Sequence, residues 1–175
     1  MWNPLAIRGT SFAELTHLHP VIERAYRGET ARRGWTHEAD LLNGPRTSFD
    51  VLTAILGDSR QRLLSAWLGA RAVGCVAVAD RGRGLAYLGQ LCVEPELQAA
   101  GIGRRLIVAA ERTAAAAFGA DRIEMTVIES RAELIAYYLR RGYRVTGETR
   151  DFPIPLDPPL FMTVLEKPLP VLARG

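Results

Sequence analysis

The chain has 175 residues, 48% hydrophobic and 23% charged, a balance that fits one folded domain over 1–175 and excludes disordered and fibrous classes. Its formal charge of +3 is mild, and its arginines fall in scattered pairs (Arg32/Arg33, Arg104/Arg105, Arg140/Arg141) rather than in a basic stripe, which argues against nucleic-acid binding. No apolar run reaches bilayer-spanning length, and Met1–Arg8 is too short and mixed for a secretory segment, so no membrane association is expected.

In chain order, Leu5–Arg8 reads as a short strand. Ser11, with Glu14 three residues on, has the pattern of a capping box opening a helix. Pro20 is expected to end or kink that helix, or to open a second one towards Tyr26. Gly28–Gly44 reads as loop, and Ser48–Leu56 as a helix. Arg62–Leu68 and Val73–Ala79 are apolar runs joined by Gly69-Ala70-Arg71-Ala72, the pattern of a hairpin. Arg81–Gly84 turns the chain into a third strand, Ala86–Val93. Cys75 and Cys92 lie in these apolar runs and read as buried thiols, in keeping with a reducing, cytoplasmic setting. Gly103–Phe118 carries Leu106, Ile107, Ala110, Ala114 and Ala117 on one helical face and stops at Gly119. Strand Arg122–Ile128, helix Arg131–Arg141, and strands Tyr143–Thr149 and Phe161–Glu166 complete the pattern, with a proline-rich loop at Phe152–Pro159. The class is a mixed α/β sheet.

The segment Gln98-Ala99-Ala100-Gly101-Ile102-Gly103-Arg104 joins a strand to the longest helix. Glycines there let the backbone approach a ligand. The first helical N–H groups lack partners within the helix and sit at the positive end of its dipole, so an anion suits them. Taken alone, the same spacing is equally that of a tightly packed helix entry. It is not a Walker A loop, since no Gly-Lys-Ser/Thr follows, and it lacks the first glycine of the dinucleotide fingerprint.

Three separated stretches decide between these readings: Tyr87-Leu88-Gly89-Gln90-Leu91-Cys92-Val93-Glu94-Pro95, the glycine turn, and Tyr137-Tyr138-Leu139-Arg140-Arg141-Gly142-Tyr143. Together they resemble the GNAT family of N-acetyltransferases, over roughly residues 63–167. The resemblance implies the GNAT acyltransferase fold: a central sheet of six to seven strands, mixed but mostly antiparallel, with flanking helices. It further implies acetyl-coenzyme A as co-substrate, an amine as acceptor, no metal, and a monomer or homodimer.

The same resemblance assigns roles residue by residue. The pantetheine arm would pair with the main chain of Leu91, Cys92 and Val93, and the Cys92 N–H would polarise the thioester carbonyl. Ala99, Ala100, Gly101, Ile102 and Gly103 would turn main-chain N–H groups towards the pyrophosphate, with Gln98 at the head of the motif and Arg104 beside it. Cations at a helix start are unfavourable by roughly 0.3–1 kcal/mol unless an anion is near. Arg105 is as well read as solvated. Tyr138, four residues before Gly142, matches the family's tyrosine, a phenol that holds its proton at neutral pH and can give it to the departing thiolate. Tyr137 takes a position usually filled by a core residue. Arg131 stands where many members have an asparagine on the pantetheine chain.

A general base is not evident. Tyr87 occupies the place of the glutamate that some members carry. The candidates are Glu124, Glu129, Glu94 (read as exposed) and His37, while His17 and His19 look superficial. Trp35–Asp40, Gly44–Thr47 and Phe152–Pro159 are expected to wall the acceptor side. The leading expectation is direct transfer from acetyl-coenzyme A to an amine; the alternative is a non-catalytic acyl-coenzyme A sensor on the same scaffold.

Overall fold

The computed structural model describes residues 3–26, 47–153 and 155–172. Within them, seven strands form one sheet in the order β1-β2-β3-β4-β5-β7-β6. The strands are β1 (Leu5–Gly9), β2 (Gln61–Leu68), β3 (Arg71–Gly82), β4 (Leu85–Val93), β5 (Arg122–Ile128), β6 (Arg144–Asp151) and β7 (Phe161–Pro168). Every neighbouring pair is antiparallel except β4 and β5. This is the mixed, mostly antiparallel sheet that the family resemblance implies.

The two faces of β3 fix the layers. Val73, Val76 and Val78 point into one core and Ala72, Cys75 and Ala77 into the other, the alternation shifting by one at Val73, where β3 bulges against Ala66 and Trp67 of β2. The first core is closed by α3 (Ile102–Phe118), whose Ile102, Leu106, Ile107, Ala110 and Ala114 are buried. The second is closed by α1 (Leu15–Tyr26) and α2 (Phe49–Gly57), through Leu15, Leu18, Ile22 and Leu52. A fourth helix, α4 (Ala132–Arg140), leads into β6.

Local signals set the helix ends. Glu14 accepts from the Ser11 N–H at 3.0 Å, and the Ser48 hydroxyl accepts from the Val51 N–H at 3.2 Å. Gly119 closes α3 at φ 62°, a left-handed conformation that glycine takes without strain. Pro20 neither ends α1 nor opens a second helix, since α1 continues through it. One lost backbone bond is outweighed by Leu15 and Leu18 on one side and Val21, Ile22 and Ala25 on the other, all buried against the sheet.

Candidate active site

Strands β4 and β5 stay together for only three residues: Leu85 with Arg122, Ala86 with Ile123, and Tyr87 with Glu124. Beyond them the strands part, although β5 remains paired with β7 as far as Ile128. A bulge in β4 accounts for the divergence. Cys75 faces Cys92 but Ala77 faces Gly89, so β4 spends three steps where β3 spends two. Gln90 lies within the extra length at φ 52°, a left-handed conformation that costs a non-glycine residue about 1–2 kcal/mol. A bulge of this kind bends its strand and strengthens the local twist.

The gap opens into a cavity of about 650 Å³. Leu91, Cys92 and Val93 wall it on one side, with Met125 to Ile128 opposite, and Gln98, Ala99, Gly101, Gly103 and Arg104 close one end. The turn is shaped for approach. Ala99 and Gly101 both have positive φ, 73° and 84°, and a Cβ placed on Gly101 would meet open space. The first backbone bond into α3 runs from the Arg105 N–H to the Gly101 carbonyl at 3.2 Å, so the amides of Ile102, Gly103 and Arg104 lie outside the helical ladder. The Gln98 carboxamide donates to the Val93 carbonyl at 3.3 Å, pinning the turn to the end of β4.

Of the turn's expected main-chain donors Ala100 differs, while the Ile102 N–H stays outside the helical ladder. The Ala100 N–H is taken by the Leu97 carbonyl at 3.2 Å, since the short 3-10 turn Pro95–Leu97 runs on into it. Ile102 sends its side chain into the core, and neither residue borders the cavity. Arg105 bonds the Leu5 carbonyl at 3.4 Å on the surface, in line with its solvated reading.

Tyr138 is 6% exposed and borders the cavity, its ring edge-on to Tyr137 and Tyr143. Burial pushes its phenol well above the ordinary range, Tyr137 adds to the shift, and Arg131 opposes it. The group therefore keeps its proton throughout the neutral range. Tyr137 packs against the core as expected and also borders the cavity. Arg131 is buried, its Nε 2.7 Å from Glu133 Oε1, and it too faces the cavity.

Sequence reading missed Arg140 and Arg141, which it scattered over the surface. Both border the cavity. The Arg141 guanidinium lies 4.4 Å over the Tyr137 ring, and its buried Nε has no hydrogen-bond partner among the described residues. A buried cationic donor in that state is satisfied by an anion. Arg104, Arg131, Arg140 and Arg141 around one cleft therefore fit the phosphates of a nucleotide-bearing acyl carrier.

The base candidates fare differently. Glu94, read as exposed, is 2% exposed and is clamped by Arg24. Glu124 is 5% exposed and held by Arg150 at 2.9 and 3.1 Å. Glu129 is exposed and away from the cavity. His17 is exposed beside Trp67, whereas His19 is half-buried and stacked 4.9 Å from Phe49. The Tyr87 hydroxyl is 2.7 Å from Thr126 Oγ1. Trp35–Asp40 (with His37) and Gly44–Arg46 lie outside the described residues. Among the described residues the cavity wall holds no carboxylate and no imidazole, and no group of His, Cys, Asp and Glu has the makings of a metal site. No described helix is long and apolar enough to cross a membrane.

A sheet splayed beside a glycine turn, with a buried tyrosine bordering the same cavity, fits an acyltransferase that takes its acyl group from a carrier. The sequence pattern of the acetyltransferase (GNAT) family matches residues 24–143, and the chain belongs to that family. Solved structures agree on the fold. The ribosomal-protein-S18-alanine N-acetyltransferase of Escherichia coli aligns over 98% of both chains at 16% identity, with a TM-score of 0.74. The PaiA N-acetyltransferase of Thermoplasma acidophilum, in complex with coenzyme A, covers 94% of this chain and 99% of its own, at 20% identity and a TM-score of 0.72. The yncA protein of Salmonella typhimurium, with its cofactor acetyl-CoA, aligns over 98% of both chains at 17% identity, with a TM-score of 0.73. A comparison with curated proteins finds no match.

Proposed function

We propose that this chain transfers the acetyl group of acetyl-coenzyme A to a primary amine by direct attack within a ternary complex. The observation that carries the proposal is the opening of the β4–β5 gap against a buried, protonated Tyr138. The bound thioester supplies an activated acetyl group. The chain's contributions are positional and electrostatic. The main chain of Leu91 and Val93 lines the arm of the carrier and supplies the donor to the carbonyl oxygen as charge develops on it, whereas the Cys92 N–H, expected in that role, stands in register with Cys75 and is turned to β3. Amides at the start of α3, with Arg104, Arg131 and Arg141, face the phosphates. Tyr138 holds the proton that the leaving thiolate takes. Cys92 is not assigned as a nucleophile: its Sγ lies 3.5 Å from Cys75 Sγ, and no base adjoins it among the described residues.

The carboxylate-free, imidazole-free wall among the described residues favours one second reading, a sensor that binds the acyl carrier without turning it over. Calorimetric titration with acetyl-coenzyme A, with ATP as control, followed by a free-thiol assay over a panel of amines, separates the two. One-site binding with thiol release and acetylated product supports the enzyme. Binding without product across the panel supports the sensor. No binding at millimolar coenzyme removes both.

A further inference from the structure

We propose that Gln90 receives the acceptor nitrogen, its carboxamide oxygen accepting a hydrogen bond from the attacking amine. The inference rests on the amine-acetylating reading above and adds a residue to it.

Three observations meet at this side chain. Gln90 borders the β4–β5 cavity and also a second cavity of about 430 Å³ on the side of β3 and α2, with Asp58, Asp80 and Arg81 in its wall. Tyr87, Gly89 and Gln90 are common to the two, so β4 at its bulge is the partition between them. A thioester entering from the β4–β5 gap and an amine entering from the β3 side would meet there. Secondly, Gln90 is held at φ 52° inside a strand, and its carbonyl accepts from the Cys75 thiol at 3.2 Å, so the backbone is fixed in a conformation that a regular strand would not adopt. Such strain persists where the surroundings over-determine it, and it gathers at functional sites. Thirdly, Gln90 Oε1 is buried and has no hydrogen-bond partner among the described residues. A buried carbonyl oxygen without a donor is unfavourable, and the soft terminal torsion of glutamine lets it turn to a donor in either cavity.

The chemistry suits a neutral amine. Its lone pair must face the carbonyl carbon, which leaves its N–H bonds pointing away, and one acceptor placed behind it fixes that orientation. A carboxamide does this without taking the proton, which leaves to solvent. Gln90 is therefore an acceptor-positioning group and not the base.

The test compares two probes on the full chain: coenzyme A, and coenzyme A carrying S–CH2–CO–NH–propyl, whose amide N–H stands in for the acceptor nitrogen. Gln90→Gly removes the carboxamide and takes the positive φ without strain, and Gln90→Glu retains an acceptor oxygen. The expected result is that the wild type binds the amide probe at least tenfold more tightly than coenzyme A. Gln90→Gly loses that preference with coenzyme A affinity within about twofold of wild type, and Gln90→Glu keeps most of it. An unchanged preference in Gln90→Gly, an equal loss for both probes, or no preference in the wild type overturns the role of Gln90. Failure of coenzyme A itself to bind the wild type overturns the acetyltransferase reading, and this inference with it.

Discussion

Arg24 grips Glu94 with two parallel bonds, Nε to Oε1 at 2.7 Å and Nη2 to Oε2 at 2.9 Å, across 70 residues of sequence. The pair ties α1 to the residue that leaves β4 and leads into the glycine turn. Glu94 is also held through its main chain, donating to the Val73 carbonyl at 2.8 Å and accepting from the Leu97 N–H at 2.8 Å. Arg24→Ala leaves that buried carboxylate with Arg71 at 4.0 Å as its remaining cation among the described residues. The Arg24 side chain is 42% exposed, which tempers the cost. We expect a loss of about 2 kcal/mol in urea unfolding. Adding Glu94→Gln should recover part of it, and full stability in the single variant would deny the pair its anchoring role.

Gly74 is close-packed beneath Cys92. A Cβ there would sit 2.6 Å from the Cys92 carbonyl oxygen and 3.2 Å from Leu106 Cδ1, so β4 must shift where it borders the cleft. Gly74→Ala is expected to destabilise the fold by about 1–3 kcal/mol and to weaken acetyl-coenzyme A binding. Calorimetry together with thermal unfolding reads both effects.

Two of the five tyrosines, Tyr138 and Tyr143, are pushed above the ordinary value of 10.0 by burial, with Glu111 adding to the shift of Tyr143. A phenol is neutral while protonated, so the folded chain keeps these protons at a pH where the unfolded chain releases them. Their contribution to stability is complete below about pH 10 and declines as pH rises beyond it. Absorbance at 295 nm should reveal two phenols that ionise only when denaturant is added at pH 11. Their complete ionisation in the native state would contradict the burial.

Tyr138→Phe keeps the ring and its edge-on contacts and removes the proton. Turnover with a good amine should fall on the order of 10²-fold, with the dissociation constant of acetyl-coenzyme A unchanged. Unaltered turnover at saturating acceptor would remove Tyr138 from the proposed mechanism.

Arg141→Ala should weaken coenzyme A about tenfold, the scale of one charge-assisted bond, and should flatten the dependence of affinity on salt. Titrations at low and high ionic strength check this. Equal affinity in the variant would return Arg141 to a packing role over Tyr137.

Much of this architecture is local in origin and therefore legible in the sequence. The alternation of β3, the apolar face of α3 and the stop at Gly119 each depend on neighbours within a few positions. The turn from Gln98 to Arg104 and the place of Tyr138 follow from motif spacing. What escaped is long-range. Glu94 reads as a surface residue in a turn because its partner Arg24 lies far upstream. Arg141 reads as one of a solvated pair because only the folded α4 brings it over Tyr137 and towards the cleft. The bulge at Gln90 carries no sign of its own, since the adjacent Gly89 is where a left-handed residue would be sought, yet Gln90 adopts that conformation.

A sheet usually keeps its unpaired rims at the periphery, where they invite other chains and must be blunted by charge or irregularity. Here the parting of β4 and β5 after three residues creates two such rims in the middle of the sheet, facing each other. They are templates for hydrogen bonding enclosed by the molecule itself, with the start of α3 at one end and Tyr137 and Tyr138 alongside. Two facing rims of this kind present main-chain donors and acceptors to a chain that itself bears amide groups. The hazard of an open rim becomes a means of selecting what may bind.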